Sequence, residues 1–166
     1  MSGGFSLIED QVLGSAAASI TFNTGLTDYT KFRLTLYVIK DGTGGDVGLQ
    51  LNGDTGSNYA YERLSADSTS LVGARATGQT SIDLDPASAI QADNLGLFTV
   101  EIAKPLTSTP ARTTSSAAFM GAGPAIFFGA VVGEWNNAAD LISSIAVLAS
   151  AGDFAIGTRA VLEGAA

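Results

Sequence analysis

Apolar and polar residues alternate with a period of two along one long segment, and this pattern constrains the fold more than any other feature of the chain. The segment TKFRLTLYVIK (30–40) places Phe32, Leu34, Leu36 and Val38 on one side. Successive side chains of a β-strand point to opposite faces of the sheet. The segment is therefore predicted to be a strand with one face in a hydrophobic core.

A glycine-rich segment, DGTGGDVG (41–48), follows this strand and leads into a second alternating run, VGLQL (47–51). Glycine accepts the positive φ angles that tight turns need, so the two runs are predicted to form a hairpin. A phosphate-binding loop is disfavoured because no Lys-Ser/Thr pair or helix follows, and because Asp41 and Asp46 would repel a phosphate.

Further short runs of strand-like residues continue to the end of the chain. They lie at 17–23, 58–64, 80–85, 96–103, 125–132, 142–150 and 158–164. Turn-forming residues separate them, which is typical of an antiparallel sandwich. We predict an all-β, jelly-roll-like β-sandwich of about 8–10 strands. It forms one domain over 1–166, with a short N-terminal arm (1–13).

Three segments between the strands are predicted to be irregular. The polar stretches 65–80 and 104–116 are expected to be long loops and candidate contact surfaces. The segment 86–95 can hold one helical turn, because Pro86 is tolerated at a first helical position.

The composition excludes several classes of protein. The chain has no cysteine and no histidine, so disulfides, thiolate metal sites and Ser-His-Asp catalysis are all unavailable. The net charge is −8, and the eight basic residues are scattered, which argues against nucleic-acid binding. We expect a protein that is not an enzyme and that uses no catalytic residue, cofactor or metal.

The surface is expected to be unusually apolar. Only 14% of residues are charged and 46% are hydrophobic, whereas a soluble monomer carries about 25% charged residues. An oligomer or a subunit of a larger assembly hides such apolar surface in its contacts. A membrane span over the uncharged segment 113–133 is disfavoured by its glycines and by Pro124, and residues 1–5 lack the features of a signal peptide.

The segment DVGLQLNGDTGSNYAYERL (46–64) contains a possible cation-binding loop. Asn52, Asp54 and Asn58 occupy positions 1, 3 and 7 of an EF-hand pattern, but Gly56 and Arg63 stand where positions 5 and 12 need oxygen ligands. The EF-hand therefore fails, and a looser site built on Asp54 and Asn58 stays an alternative. Asn-Gly after an alternating run instead predicts a hairpin turn.

Carbohydrate binding is an alternative function. Tyr37, Tyr59, Tyr61 or Trp135 would stack on sugar rings while nearby polar side chains held hydroxyl groups. Strand alternation argues against it, because one face of each strand is needed for the core. Asp83 and Asp85 form a carboxylate pair of the kind that glycosidases use, but a solvated strand face explains them more simply.

Three segments of the chain resemble a family of small virion structural proteins of tailed bacteriophages. They are FNTGLTDYTKFRLTLYVI, VGLQLNGDTGSNYAYERL and GEWNNAADLISSIAVLASAGDFAIGTRAVLEG. The resemblance implies a jelly-roll or lectin-like β-sandwich, as in capsid decoration proteins and tail or head-fibre subunits. The chain departs from the family at Glu163, where relatives often have an aromatic residue, and in lacking collagen-like extensions.

The resemblance implies a structural protein without catalytic residues. We expect a capsid decoration (cement) protein that binds the major capsid protein on the outer capsid surface as a homotrimer, without contacting nucleic acid or membrane. A location in the tail is the alternative. The N-terminal arm and the apolar segment 117–135 are expected to supply the interface, through Phe5, Leu7, Phe119, Ile126, Phe127, Phe128 and Trp135.

Overall fold

The protein is all-β throughout the residues that its computed structural model describes, which are 4–41, 45–67, 70–85, 90, 93–104, 109–120, 126–137 and 140–166. One short 3-10 turn spans Leu26–Asp28. The strands are β1 Ser6–Val12, β2 Ser19–Phe22, β3 Lys31–Asp41, β4 Val47–Leu51, β5 Tyr59–Asp67, β6 Ser70–Gln79, β7 Ile82–Asp83, β8 Leu95–Ala103, β9 Ala111–Met120, β10 Ile126–Trp135, β11 Ile145–Ala149, β12 Asp153–Phe154 and β13 Arg159–Ala165.

These strands form two antiparallel sheets. The long sheet has the order β1-β13-β3-β8-β9-β10-β5-β6, with β12 attached to β3, and the short sheet has the order β2-β11-β4-β7. The inward side chains of both sheets meet in one core, so the predicted antiparallel β-sandwich is confirmed. The described residues contain 13 strands rather than eight to ten, partly because segments predicted to be loops are strands.

Eight of the strands pair in a nested arrangement. β1 pairs with β13, β2 with β11, β3 with β8, and β4 with β7. The remaining long strands form two hairpins, β5–β6 and β9–β10, which lie side by side because β10 pairs with β5. The two hairpins widen the long sheet beyond β8, and β6 becomes its last strand.

The alternation predicted for β3 is present in the structure. Phe32, Leu34, Leu36 and Val38 are buried, whereas the intervening side chains face outward. Stacked aromatic rings fill the core near the second hairpin, with the Phe119 and Phe127 centroids 5.5 Å apart. Strand periodicity therefore assigned the core face of β3 correctly.

Both predicted hairpins around β4 are wrong. β3 lies in the long sheet and β4 in the short sheet, so the segment between them crosses from one sheet to the other. The Asn-Gly segment connects β4 to β5 and crosses back. Its local turn is as predicted: Asn52 and Gly53 have φ of 55° and 62°, and the Asp54 N–H donates to the Leu51 carbonyl at 3.0 Å.

Two segments predicted to be loops contain strands instead. The stretch 65–80 contains the whole of β6, and 104–116 contains the first six residues of β9. Threonine and serine on the strand faces made these segments look like loops. The N-terminal arm contains β1, which pairs with β13. Most of the expected helical turn at 86–95, and the glycines of 42–44, lie outside the described residues.

In the part of the chain that the structure describes, no helix has the length and apolar character needed to cross a membrane. The described residues of the uncharged segment 113–133 belong to β9 and β10.

Candidate functional site

An apolar row crosses the outer face of the long sheet. We define the apolar row as six residues that lie opposite one another on successive strands: Tyr37, Leu97, Ala118, Phe128, Ala66 and Leu71. The row is open to solvent, with Phe128 exposed to 57% and Leu71 to 74%. Leu95, Ile126 and Leu64 are further exposed apolar side chains on the same face. An exposed apolar row of this kind is a candidate protein contact site.

Most ion pairs of the outer face lie away from this row. Four residues along the strands from the row, Arg33 pairs with Glu101 at 3.0 Å and Arg75 with Glu62 at 3.6 Å. Arg112 pairs with Glu134 at 2.6 Å beside them. The exception is Arg159, which pairs with Asp10 and lies opposite Tyr37, at the β13 end of the row.

A shallow pocket of about 370 Å³ lies between these ion pairs. Glu62, Arg75, Arg112 and Glu134 are among its lining residues, and Val132 contributes apolar surface. Each of the four charges already has an opposite charge within the chain. The pocket offers neither an uncompensated charge nor a catalytic pair.

The structure divides the predicted interface residues into two groups. Ile126 and Phe128 project from the outer face of β10, and Leu7 is exposed on β1. Phe5 packs against the Arg33 guanidinium, which lies 4.2 Å from the ring centroid. These side chains are accessible to a partner.

The other three predicted interface residues are corrected by their burial. Phe119, Phe127 and Trp135 lie in the core of this same chain. The reason is strand alternation: on β10, Phe127 and Trp135 occupy odd positions that face inward, whereas Phe128 occupies an even position. When an apolar segment forms a strand with one face in the core, only every second residue is available to an interface on the other face.

Several exposed residues of the apolar face were missed by the sequence analysis. Leu97 was assigned only to a strand, and Leu71 to a loop. The available signal was GLFTVEIA (96–103), in which Leu97 is apolar on the face opposite the core residues Phe98 and Val100.

The loop after β4 is built around the carboxylate of Asp54. Its Oδ2 accepts a hydrogen bond from Trp135 Nε1 at 2.7 Å and another from Asn58 Nδ2 at 2.9 Å. Its Oδ1 accepts the Gly56 N–H at 2.8 Å. These donors lower the pKa of Asp54, the Trp135 indole most of all. The predicted hairpin loop is therefore a link between the sheets.

The side chains of the alternative cation site, Asp54 and Asn58, make hydrogen bonds within the chain. Both carboxylate oxygens of Asp54 accept hydrogen bonds, and the side-chain amide of Asn58 donates one of them. Among the residues that the structure describes, no group of three or more acidic residues is arranged to hold a metal ion.

The aromatic residues of the carbohydrate hypothesis are mostly buried. Tyr59 is exposed to 1% and Trp135 to 0%, and their rings stack with centroids 6.5 Å apart. The Tyr59 hydroxyl donates to the Leu51 carbonyl at 3.1 Å, and burial raises its pKa to about 12. Tyr37 is exposed on the outer face of β3, whereas Tyr61 is partly buried against the core on β5, so the structure does not contain the predicted aromatic platform.

Asp83 and Asp85 do not lie on a solvated strand face, contrary to the sequence analysis. Asp83 is mostly buried and pairs with Arg63 of the long sheet at 2.8 Å, which joins the two sheets. The Asp85 N–H donates to Asp83 Oδ1 at 3.0 Å. Burial, and secondarily the charge of Asp46, raise the pKa of Asp83 to about 6. Both aspartates therefore lie where the two sheets meet.

Two lysines are buried and have structural contacts. Lys40 Nζ donates to the Ala151 carbonyl at 2.7 Å. Lys104 Nζ donates to the carbonyls of Thr109 and Asn137 at 2.7 and 2.8 Å, and lies 5.6 Å from the Trp135 ring centroid. Burial lowers the pKa of both lysines. Each lysine holds a loop against the body of the sandwich.

Comparison with known proteins does not assign this chain to a family. No family model matches it, and no curated protein matches it. One solved structure, a protein of unknown function from Shewanella oneidensis MR-1, aligns over 99% of this chain and 77% of its own length. The identity is 8% and the TM-score is 0.28, so this likeness carries no argument about fold or function.

Proposed function

We propose that the protein is a structural virion protein of a tailed bacteriophage, and specifically a capsid decoration protein. It binds the major capsid protein on the outer surface of the shell and has no enzymatic role. The apolar row is the surface that makes this contact.

The exposure of the apolar row is the observation that carries the proposal. Six strands contribute to the row, and none of its residues is charged. Burial of such a surface stabilises a complex by about 25 cal/mol for each Å² of apolar area, before the costs of association.

The strand pairing supports the same proposal. We infer that the four nested pairs are those of a jelly roll into which the hairpins β5–β6 and β9–β10 are inserted. Double-sheet jelly rolls occur in viral capsid proteins, lectins and cupins. Because one fold serves many functions, this pairing supports the proposal only together with the apolar row.

The charge of the chain favours the outside of the shell. Its net charge is −8, and packaged DNA inside a capsid would repel an acidic protein. Several arginines of the long sheet are already paired with carboxylates, among them Arg33 and Arg159.

Mass spectrometry of purified particles tests the first part of the proposal. The particles come from the phage whose genome encodes the chain. We expect the protein in intact particles at a copy number proportional to that of the major capsid protein. Its absence from purified particles, or its presence only in isolated tails, would overturn the assignment.

A pair of substitutions on β10 tests the binding surface. Phe128→Ser alters the apolar row, whereas Val132→Ser alters an exposed residue on the same face among the ion pairs. Capsids that lack the protein serve as the probe, and bound protein is measured after sedimentation. We expect at least tenfold weaker binding for Phe128→Ser and little change for Val132→Ser. An equal loss of binding in the two variants would show that the apolar row is not the binding surface.

A further inference from the structure

The two edges of the long sheet differ in how well they are protected. Exposed sheet edges carry unpaired N–H and C=O groups, and proteins block them with bulges, charges, proline or covering segments. β1 has such protection. Its pairing with β13 is irregular between Leu7 and Glu9, and it carries Glu9 and Asp10. The Gln11 Nε2 also reaches across to donate to the Thr21 carbonyl of the short sheet at 3.0 Å.

β6, the other edge, has little such protection, because its one bulge lies near its end, between Thr77 and Gln79. It is 10 residues long, contains no lysine, proline or acidic residue, and its one charge, Arg75, pairs with Glu62. Among the strands that the structure describes, none pairs with its outer side. A long and nearly uncharged edge is suited to pairing with another strand.

β6 is also exposed on both of its faces. Leu71 and Val72 point to opposite sides of the sheet and are exposed to 74% and 54%. The short sheet ends at β7, which contacts β5 and β10. An incoming strand would therefore meet open backbone groups and apolar side chains on both sides.

We propose that β6 pairs with β6 of a second copy of this chain, antiparallel and around a two-fold axis, to form a dimer. The dimer joins two long sheets edge to edge. Two copies each carry a charge of −8, so a self-contact needs a surface that is locally close to neutral. β6 with its Arg75–Glu62 pair provides such a surface, whereas β1 does not.

The sequence of β6 favours one register. When the two-fold axis is perpendicular to the sheet, outward residues of one copy lie opposite outward residues of the other. The residue at the axis then lies opposite the same residue of the second copy. An axis at Arg75 would place two like charges opposite each other, which is destabilising. An axis at Ala74 keeps almost the whole strand paired, and it places Arg75 opposite Gly73 and Val72 opposite Ala76. We therefore place the axis at Ala74.

The dimer is an alternative to the homotrimer expected from the sequence, and the two predict different masses in solution. It also involves a different surface from the proposed capsid contact, because it uses the edge of β6 rather than the face of β10. Either proposal can therefore fail without the other.

Sedimentation equilibrium over a range of concentrations tests the dimer. We expect a species of twice the 16.8 kDa mass of one chain. Val72→Lys places a charge at the β6 edge and should weaken dimerisation at least tenfold, without lowering the melting temperature, because Val72 is exposed. Leu7→Lys is the matched control at the β1 edge and should leave the dimer intact. A monomer at all concentrations, a trimer, or equal effects of both substitutions would overturn the proposal.

A cysteine placed at the axis tests the register without weakening the contact. The natural chain has no cysteine, so Ala74→Cys introduces a single thiol. Residues directly opposite in an antiparallel pair have Cα atoms about 4.5–5.5 Å apart, within the range that a disulfide spans. Mild oxidation should give a covalent dimer of Ala74→Cys and little of Leu7→Cys. Equal cross-linking of the two variants would contradict β6 pairing at Ala74.

Discussion

The indole N–H of Trp135 donates a hydrogen bond of 2.7 Å to Asp54 Oδ2, and the two residues are separated by 81 positions in the sequence. Trp135 ends β10 of the long sheet, and Asp54 follows β4 of the short sheet. Since the Trp135 side chain is fully buried, its N–H needs a partner within the protein. The loop around Asp54 supplies that partner and closes one end of the sandwich.

Replacement of Asp54 should destabilise the fold. Asp54→Ala removes the acceptor of three hydrogen bonds and leaves the buried Trp135 N–H without its partner. We expect the free energy of unfolding in urea at neutral pH to fall by about 2–3 kcal/mol. Asp28→Ala, at an exposed residue of the 3-10 turn, is the control and should change it by less than about 0.5 kcal/mol. Equal effects would show that the Trp135 contact adds no stability.

The contribution of Asp54 should also depend on pH in a defined direction. Its pKa in the folded protein is lowered, chiefly by the Trp135 hydrogen bond. Its stabilising effect is then complete above the ordinary pKa of the carboxyl group and is lost as the pH falls through the lowered folded value. The free energies of unfolding of the native protein and of Asp54→Ala, measured in urea, should approach each other as the pH falls. A constant difference at every pH would contradict this mechanism.

Asp83 should give the opposite pH dependence. Burial raises its pKa to about 6 in the folded protein, against 3.8 for the free group. The folded chain therefore holds this proton more tightly, and the contribution of Asp83 to stability decreases as the pH rises from about 4 to about 6, then becomes constant. The decrease is about 3 kcal/mol at most.

The variant Asp83→Asn tests this contribution because an amide does not titrate. Its unfolding free energy should lack the decrease between pH 4 and 6 that Asp83 produces in the native protein, although Arg63 loses its ion-pair partner. Chemical denaturation at closely spaced pH values provides both curves. Identical slopes for the two proteins would show that Asp83 titrates near its ordinary pKa.

Substitutions at two adjacent phenylalanines should distinguish an effect on folding from an effect on association. Phe127 packs in the core against Phe119, whereas Phe128 lies in the apolar row. Phe127→Ala should lower the free energy of unfolding by about 3–5 kcal/mol. Phe128→Ala should leave it within about 0.5 kcal/mol. Thermal and urea unfolding measure both, and a large loss of stability in Phe128→Ala would mean that this side chain also supports the fold.

Gly164 should not tolerate a side chain. A Cβ atom added there would lie 2.6 Å from the ring of Tyr29 and 2.7 Å from Ile8 Cδ1. Gly164→Ala should therefore cost about 1–3 kcal/mol through overpacking. Gly14→Ala is the matched control, because a Cβ at Gly14 meets no atom within 4 Å. A melting temperature of Gly164→Ala equal to that of Gly14→Ala would contradict the close contact.

Local patterns identified many of the strands and their faces but not their partners. The period of two in 30–40 assigned the core side of β3, and Asn52-Gly53 predicted a turn with two positive φ angles. The same patterns suggested that β3 pairs with β4, yet the two strands lie in different sheets. Polar strands were also missed, because β6 and the first half of β9 contain few large apolar residues.

The sequence by itself determined the all-β class and the side of β3 that is buried, because strand periodicity depends only on neighbouring residues. The tertiary structure decided which outward residues form a common surface, since Phe128 and Leu71 belong to one row only through the register of β10, β5 and β6. It also decided that Phe127 and Trp135 are core residues, and that the Asp54 carboxylate accepts the hydrogen bond of the Trp135 indole. Pairing and register arise from contacts between distant segments, and a local pattern is compatible with many such pairings.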